Sequence, residues 1–447
     1  MQFILWIVLA LPPLGLAETP CEGAAGTVVT EVRLKGLEAT RPHVVRRYLQ
    51  HRAGEVLDCT HWRREKAALE GLDIFASVTL EVMPSPTGAV LVYRFVELPA
   101  FLAFPALKAT DQLGWAGGAG ISILNLGGED IRLDAYIRTT VTPDPFAATE
   151  YMLFAHSPQM GPLPVEWEVT VSHTDSKNPL VAIDEQSYLA DVILRIPLGW
   201  GGLQALVLGS VFTLAHDVNR DDFAPDDGQR FPLFLSDGDQ DWVPRLGIGL
   251  VHDSRETLYN PHFGTYAELS VAQNGGSFGG SADYLEYLGD VRTYLPAFGT
   301  DVILLTTLGR YRPGTMGAYD FLHVGGANTL RGYPTLPEYY GRHEVLSTLE
   351  YRRAFYEREP FTVWDNALYA GFQWVLGIDA ALQWRRPDAD PVLLSSLYTG
   401  PHLLFPGFDR LRIEFAVTGV HDTVDAWTYG MTIGLFEKAQ MQRFRVR

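Results

Sequence analysis

The fold of this chain is decided by one stretch, Leu322–Tyr333, which reads LHVGGANTLRGY. It lies between two runs of alternating apolar and polar residues, the pattern of β-strands. Arg331 carries five hydrogen-bond donors and a charge that it cannot lose, so inside a protein it needs a carboxylate partner. Gly332 beside it allows a sharp turn of the backbone. The stretch therefore predicts a long hairpin loop with a buried tip; the alternative is an ordinary glycine-rich loop.

This loop resembles a motif of the outer-membrane assembly and translocation superfamily typified by BamA and TamA. In that family a Gly-Gly…Val-Arg-Gly-Phe/Tyr loop folds back into a β-barrel, and Leu330 stands here where the family usually has Val. The resemblance implies an all-β transmembrane barrel of about 16 antiparallel strands, preceded by one small α+β POTRA-like domain. The residues that carry it are Gly325, Gly326, Leu330, Arg331, Gly332 and Tyr333.

Weaker matches lie on the neighbouring strands. In the segment Gly377–Ala381, Gly377 replaces an aromatic residue of the family and Ala381 replaces a glycine, so this match is partial. The resemblance still makes Asp379 the expected partner of Arg331 inside the barrel, with Glu350 as second choice. The other matching segments are His252–Arg255 with Asn260, Pro261 and Gly264, and Glu350–Arg352.

The N-terminus has the pattern of a secretory signal peptide, which we place at 1–17, with a leader at 18–26. An apolar run from Phe3 to Leu11 is broken by Pro12 and followed by small residues near Ala17. No Lys or Arg precedes the run, which departs from the usual pattern. The run is too short for a membrane-spanning helix, which needs about 20 residues. A membrane location would therefore require a closed barrel.

The chain has two cysteines, Cys21 and Cys59. After export both would enter an oxidising compartment, where disulfides form and persist. We therefore predict a disulfide that ties the leader to the first domain. Two free thiols are the alternative.

Residues 27–98 are predicted to form one compact α+β unit. A strand over residues 28–34 precedes a helix from Arg41 to His51 and a second helix from Thr60 to Gly71. Two strands follow, over residues 75–82 and 90–96, with a turn of Pro and Gly between them. The order β-α-α-β-β resembles a POTRA domain, and a generic small α+β domain is the alternative.

Residues 103–447 are expected to form the barrel, with a long inward loop at 313–345. Over residues 130–138 apolar side chains alternate with charged ones, and segments 166–171 and 410–417 repeat the pattern. In a membrane barrel the apolar face meets lipid and the polar face lines a wet lumen. The segments are roughly ten residues long, which suffices for a tilted strand to cross a bilayer.

Composition and spacing argue against three classes of function. A formal net charge of −18 would repel a phosphate backbone, so no nucleic-acid partner is expected. The segment Gly275–Gly279 matches a nucleophile elbow but lacks the helix that must follow it. The acidic run Asp237–Asp241 lacks the ligand spacing of a calcium loop. We therefore expect no catalytic residue, no metal, no cofactor and no enzymatic activity.

The resemblance implies a protein that assembles or inserts β-barrel clients, or translocates polypeptides across the outer membrane. Its partners would be outer-membrane lipid and unfolded outer-membrane or secreted polypeptides. A periplasmic or inner-membrane protein could bind the POTRA-like domain, which would lie in the periplasm. A passive outer-membrane pore or a structural barrel is the alternative.

Such a protein needs a temporary opening between its first and last strands, because a client strand cannot enter lipid with unpaired backbone groups. The expected first strand, 113–124, and last strand, 428–436, contain several glycines, and glycine weakens a strand. Crowding in the lumen would also favour small residues and is an equal alternative. The candidate gate glycines are Gly114, Gly117, Gly118, Gly120, Gly430 and Gly434.

Overall fold

The computed structural model of the protein describes most of the chain after residue 20. The described residues are 21–110, 114–141, 148–161, 163–177, 184–216, 222–223, 231–257, 260–325, 329–333, 340–384, 391–406, 409–420 and 428–435. The expected signal peptide at 1–17 lies outside them.

A small α+β unit precedes the barrel, and we call it the small domain. Its strand β3 lies at the centre of a three-stranded sheet, parallel to β1 and antiparallel to β2. Helices and sheet enclose fully buried apolar side chains, among them Val45, Leu69 and Phe75. The elements are β1 (Val29–Lys35), α1 (Pro42–Arg46), α2 (Cys59–Glu70), β2 (Phe75–Ser85) and β3 (Gly88–Glu97).

Helix α1 is shorter than the sequence predicted, because it ends at Arg46 rather than at His51. The backbone N–H groups of Gln50 and His51 donate instead to the buried carboxylate of Glu65, at 2.5 and 2.8 Å. The hydroxyl of Tyr93 donates to the same carboxylate at 2.5 Å. A carboxylate that captures backbone donors competes with helical hydrogen bonds, so the helix stops before these residues.

A disulfide joins Cys21 to Cys59, with a Cα–Cα distance of 5.7 Å that lies in the normal range. Cys59 is the first residue of α2, whose N-terminus is capped by the side chain of Asp58. That side chain accepts a hydrogen bond of 2.7 Å from the backbone N–H of Thr60. The disulfide therefore fixes the start of the described chain to a capped helix end.

From Phe101 onward the chain forms one closed antiparallel barrel. Strands β4 and β5 lie end to end against β6, and β18 extends β17 along β16, so the described residues form sixteen strands around the barrel. The expected number is therefore confirmed. Two short hairpins, β12–β13 and β19–β20, lie outside this sheet. The strands are β4 (Phe101–Pro105), β5 (Lys108–Thr110), β6 (Gly114–Ile123), β7 (Arg132–Thr140), β8 (Ala148–Ser157), β9 (Glu166–Lys177), β10 (Asp184–Pro197), β11 (Leu203–His216), β12 (Asp222–Phe223), β13 (Phe231–Pro232), β14 (Gln240–Asp253), β15 (Gly264–Gly275), β16 (Asp283–Pro296), β17 (Val302–Tyr311), β18 (Gly314–Thr315), β19 (Leu322–His323), β20 (Tyr340–Gly341), β21 (His343–Val363), β22 (Asn366–Trp384), β23 (Val392–Phe405), β24 (Asp409–Val420) and β25 (Thr428–Leu435).

Alternation along the strands separates a charged interior from an apolar exterior. On β22 the side chain of Asp379 is fully buried, whereas its neighbour Ile378 is 50% exposed. On β24 Glu414 is fully buried and Phe415 is 50% exposed. This is the arrangement expected when the outer face contacts lipid and the inner face contacts polar groups.

The barrel closes between β25 and β5, and we call this junction the seam. Among the described residues, Ile433 opposite Ala109 is the only pair that joins the two strands. By contrast, β24 and β25 pair without interruption from Leu411 opposite Leu435 to Thr418 opposite Thr428. The seam is therefore the weakest junction that the described strands show.

The glycine-rich strand is not the first strand, so that prediction was wrong. Strand β6, which carries these glycines, is second, and the first strand begins at Phe101 and is interrupted after Pro105. Proline lacks a backbone N–H and cannot donate to a sheet. The interrupted segment has no long alternating pattern, and for that reason it is inconspicuous in the sequence.

The small domain packs against one end of the barrel, which we call the domain end. Leu124 and Tyr369 of the barrel pack into the apolar core of the small domain. The guanidinium of Arg358 donates to the backbone carbonyl of Phe75 at 2.6 Å. Within the part of the chain described here, no helix is long and apolar enough to cross a membrane.

Candidate functional site

The connection between β17 and β21 is the longest in the barrel and folds inward. Its stem is held by Arg312, which pairs with Glu286 on β16 and donates to the backbone carbonyl of Asp320 at 2.8 Å. The hydroxyl of Tyr284 donates to the carboxylate of Asp320. These contacts fix the base of the loop, so its tip at residues 329–333 is delivered to a defined place on the inner wall.

Arg331 at this tip is 2% exposed and lies among three carboxylates of the inner wall. Its Nε lies 2.9 Å from Oε2 of Glu414, and its two terminal nitrogens lie 3.5 Å from carboxylate oxygens of Asp379 and Glu350. The backbone N–H of Arg331 also donates to Asp379 at 3.4 Å. A charge so deeply buried requires such partners, since desolvation alone would cost several kcal/mol.

The guanidinium of Arg331 also lies on an aromatic ring. Its central carbon is 3.5 Å from the ring centroid of Tyr398, a cation–π geometry. The hydroxyl of Tyr398 donates to Glu350 at 2.6 Å, so one side chain contacts both partners of an ion pair. Gly377 lies directly opposite Tyr398 on the next strand, and a Cβ there would lie 2.3 Å from the Tyr398 hydroxyl.

Further groups balance and orient the three carboxylates. Nε of Arg352 donates to Glu350 at 2.6 Å, and the guanidinium of Arg412 lies 3.3 Å from Glu414. Nε2 of His402 lies 2.9 Å from Glu414, and the hydroxyl of Thr348 donates to Asp379 at 2.6 Å. These polar groups form the Arg331 cluster, namely Arg331, Thr348, Glu350, Arg352, Asp379, Tyr398, His402, Arg412 and Glu414.

Apolar contacts and a hydrogen bond hold the rest of the loop tip against the wall. Leu330 is fully buried beside Leu346 and Leu394 of the wall. The hydroxyl of Tyr333 donates to the backbone carbonyl of Ser395 at 3.0 Å. Gly332 has a φ of +78°, and a Cβ there would lie 2.8 Å from the Cβ of Ala416. Gly332 therefore serves both the left-handed turn and the close approach of the loop to β24.

The structure brings together the residues that the sequence singled out in this loop. Asp379 and Glu350 both contact Arg331. The hydroxyl of Thr329 donates a hydrogen bond of 2.6 Å to the backbone carbonyl of Gly325. Gly326 lies outside the described residues. Sequence reasoning missed Glu414, the partner with the shortest contact, because it is one of many charged residues on inward strand positions.

The cluster extends to the last strand of the barrel. The hydroxyl oxygen of Thr432 on β25 lies 3.5 Å from the same oxygen of Glu414 that contacts Arg331. Gly430 of β25 lies opposite Ala416, which the loop tip contacts through Gly332. The inward loop is thus connected through β24 to one side of the seam.

The candidate gate glycines fall on both sides of the seam. A Cβ at Gly118 would lie 1.9 Å from the backbone oxygen of Ile137, and one at Gly120 would lie 2.4 Å from the ring of Phe104 on β4. These two glycines therefore allow close packing within the wall. Gly117 has open space around its Cβ position, Gly114 begins β6, and Gly434 on β25 lies opposite Arg412 of β24.

Two groups of side chains have the donor spacing of a metal site, but an arginine lies in each. The donor atoms of Glu350, His402 and Glu414 lie within 4.8 Å of one another, and Arg331 lies between the two carboxylates. In the second group, His156 with Glu166 and Glu168, the guanidinium of Arg195 bonds both carboxylates. In both groups a guanidinium thus supplies the positive charge that a metal ion would bring.

Fold and site together define the class: an outer-membrane β-barrel with an arginine-tipped loop folded into its lumen. Residues 141–353 match the profile described as the Omp85 superfamily domain. Residues 141–353 therefore carry an Omp85 superfamily domain, which confirms the expected resemblance to this superfamily. A search of curated protein sequences finds no significant match.

Solved structures share the fold at low sequence identity. BamA from Haemophilus ducreyi, in a form lacking POTRA domains 1–3, matches with a TM-score of 0.53 at 15% identity, over 92% of this chain and 84% of that one. CdiB from Acinetobacter baumannii matches with a TM-score of 0.55 at 14% identity, over 92% and 74%. CdiB from Escherichia coli matches with a TM-score of 0.52 at 12% identity, over 96% and 93%.

Proposed function

We propose that this protein inserts β-barrel clients into the outer membrane or translocates polypeptides across it, without chemical catalysis. The seam carries the proposal. Its two strands share one pair of residues, Ile433 and Ala109, in the described part of the chain. A junction that is paired at one position should separate more easily than the other junctions between the described strands.

An open seam solves a physical problem for a polypeptide client. In the hydrocarbon core no water is present to satisfy backbone N–H and C=O groups, so an unpaired strand cannot enter lipid by itself. The free edges of β5 and β25 would offer such a strand hydrogen-bond partners, since an exposed edge is a template for pairing. The barrel would then close again as the client leaves.

The inward loop would give one side of the seam a rigid support. Arg331 ties the loop to Glu350, Asp379 and Glu414, which lie on β21, β22 and β24. Thr432 extends the connection to β25. On the other side β4 and β5 are short and interrupted at residues 106–107. We infer that β5 moves when the seam opens, while the inward loop holds β25 in place.

The small domain is proposed to be a POTRA-like domain, residues 27–98, that lies in the periplasm and receives clients. Its sheet has the order β1-β3-β2, so β1 and β2 are edge strands. An extended client or a periplasmic partner could add a strand to such an edge, with main-chain hydrogen bonds supplying the affinity. The apolar exterior of the barrel would contact outer-membrane lipid.

Reconstitution tests the proposal. The full-length protein is placed in liposomes, and an unfolded outer-membrane barrel or an unfolded secreted polypeptide is added. We expect the barrel client to become heat-modifiable, or the secreted client to become protease-protected, faster than with protein-free liposomes. Arg331→Ala should reduce this activity, while Arg353→Ala, which changes an exposed arginine of β21, should not.

One outcome of the reconstitution would contradict the proposal. If the liposomes conduct ions but neither client is inserted or translocated above the protein-free rate, the proposal is wrong. The protein is then a passive pore.

A further inference from the structure

A cavity of about 290 Å³ lies between the small domain and the inner wall of the barrel. The small domain contributes Ala68, Leu72 and Ile74 to its lining, and strand β8 of the barrel contributes Met152 and Phe154. This volume is close to the lower limit of small-molecule sites, which measure about 300–1,000 Å³. The cavity therefore has room for a small ligand with an apolar body.

Charged side chains on the barrel side of this cavity occur in pairs. The guanidinium of Arg195 bonds the carboxylates of both Glu166 and Glu168. The guanidinium of Arg255 donates to the carboxylate of Asp253 at 2.6 Å. Each of these carboxylates therefore has a counter-charge within the barrel itself.

Asp130, in the turn between β6 and β7, differs from these residues. It is 7% exposed and lines the cavity. Its backbone N–H donates to the side chain of Asn125 at 2.8 Å, but no hydrogen bond or ion pair joins its carboxylate to another residue that the structure describes. Such a carboxylate has lost water without gaining a donor, which is costly. A positively charged ligand would remove this cost.

The pKa of Asp130 reflects the same deficit. Burial raises the pKa of this carboxyl to about 7, although the charges of His156 and Arg47 lower it in part; Asp73 raises it further. The group lies in a turn outside the strands. Above pH 7 Asp130 is therefore a buried anion whose charge is incompletely balanced, and an arriving cation would stabilise its ionised form.

The cavity favours a cation with an apolar body over other ligands. A primary ammonium has three donors and forms charge-assisted hydrogen bonds with a carboxylate. The rings of Tyr48 and Phe154 line the same cavity, and aromatic faces attract cations. Asp130 would repel an anion. A divalent metal ion prefers several oxygen ligands, whereas Asp130 offers one carboxylate.

We propose that this cavity is a binding site for a small amphipathic amine, whose ammonium group pairs with Asp130 and whose apolar body packs between α2 and β8. The site belongs to neither domain alone, because its lining comes from both. It is separate from the Arg331 cluster, and its occupancy needs no polypeptide client.

The test measures ligand binding to the full-length protein in phosphatidylcholine nanodiscs. The probe is 4-fluorophenethylamine, and its binding is followed by fluorine NMR titration at about pH 8, where Asp130 is ionised. The neutral comparator is 4-fluorophenethyl alcohol, which has the same ring and chain. Nanodiscs without protein measure the uptake of each probe by lipid.

Two substitutions separate the charge of Asp130 from its backbone conformation. Asp130→Asn removes the charge at a φ of +57°, which Asn also adopts readily. Asp365→Asn is the matched control, because Asp365 has a similar φ of +64° in the turn between β21 and β22 but is exposed. A third variant, Ala68→Phe, fills the cavity from α2 and leaves Asp130 in place.

We expect the amine to bind the unmodified protein saturably and about tenfold or more tightly than the alcohol. Asp130→Asn should weaken amine binding by about the same factor, as expected for the loss of a charge-assisted hydrogen bond. Asp365→Asn should bind as the unmodified protein does, and Ala68→Phe should bind neither probe. The heat-modifiable gel shift and the protease resistance of the small domain verify that each variant is folded.

The proposal is wrong if the unmodified protein takes up no more amine than lipid alone. It is also wrong if a folded Asp130→Asn protein binds the amine as tightly as the unmodified protein. Amine binding that survives Ala68→Phe would place the ligand outside this cavity and would overturn the proposal in the same way.

Discussion

The aromatic ring of Tyr398 occupies the space that Gly377 leaves on the facing strand. The two residues lie directly opposite each other, and a Cβ at position 377 would be 2.3 Å from the Tyr398 hydroxyl. In this place the ring lies under the guanidinium of Arg331 and donates to Glu350. Gly377 therefore permits the inward loop to dock, and it does so indirectly, by leaving room for the ring of Tyr398.

Gly377→Ala should destabilise the barrel by about 1–3 kcal/mol, because overpacking a dense interior forces side chains out of their preferred positions. Urea unfolding in detergent measures the change. The matched control is Gly309→Ala on β17, where a Cβ would meet nothing within 4 Å. Equal stability of both variants would contradict the role assigned to Gly377.

Arg331→Ala should cost about 3–5 kcal/mol of unfolding free energy, because it leaves Asp379, Glu350 and Glu414 buried without their shared counter-charge. Arg331→Lys should recover only part, since lysine lacks the planar fork and the stacking on Tyr398. Thermal and urea unfolding in detergent measure both. An effect below about 0.5 kcal/mol, as for an exposed arginine, would mean that the loop tip is not docked.

Tyr333→Phe provides a milder comparison at the same loop tip. It removes the hydroxyl that donates to the Ser395 carbonyl at 3.0 Å but keeps the ring. A neutral hydrogen bond of this kind contributes about 1 kcal/mol. A loss as large as that of Arg331→Ala would show that the hydroxyl, rather than the charge, anchors the loop.

Part of the Arg331 cluster could be predicted from the sequence, and part could not. Arg331 beside Gly332 pointed to a buried loop tip, and the family resemblance named Asp379 and Glu350 as its expected partners. Glu414 was not predicted, because alternation gives the face of a residue but not its distance from a loop elsewhere in the chain. In the sequence, Gly377 stood out only because it replaces an aromatic residue of the family. Its role depends on the register of β22 and β23, which places Tyr398 opposite it.

The first barrel strand and the first helix show where sequence patterns fail. The strand is broken after Pro105, so the glycine-rich β6 looked like the start of the barrel. Helix α1 has a longer helical pattern than the structure uses, because Glu65 captures backbone N–H groups of residues 50 and 51. In both cases a tertiary contact or a single proline outweighed the local pattern.

The disulfide should stabilise the small domain by about 4 kcal/mol in the chain-entropy model for a sequence separation of 38. Cys21→Ser with Cys59→Ser should make residues 21–98 more sensitive to protease while the barrel stays heat-modifiable. Mass spectrometry of protein purified from the cell envelope checks the bond directly. Two free thiols in that sample would contradict the account.

Stability should also depend on pH through His262, which lies in the turn between β14 and β15. Burial alone would lower its pKa, but hydrogen bonds to Glu256 and Glu357 raise the pKa to about 9. A raised pKa means that the stabilisation is complete below the unfolded value of about 6.5 and is lost as pH rises through 9. Unfolding free energies between pH 6 and 10 measure this.

The control for this prediction is His262→Asn, which cannot carry the charge. The stability difference between the two proteins should be largest below about pH 6.5 and should shrink toward pH 10. A difference that stays constant across this range would show that His262 does not titrate as proposed.

The most direct measurement of the central claim is a reversible lock on the seam. Ala109→Cys with Ile433→Cys places two thiols on the one pair of residues that joins β5 to β25 in the described residues. Thr139→Cys with Thr149→Cys makes the same kind of bond between β7 and β8, where the native hydroxyls are 2.9 Å apart. Oxidation of the seam pair should abolish client insertion or translocation, reduction should restore it, and the β7–β8 pair should be active in both states. Undiminished activity of a fully oxidised seam would contradict the account.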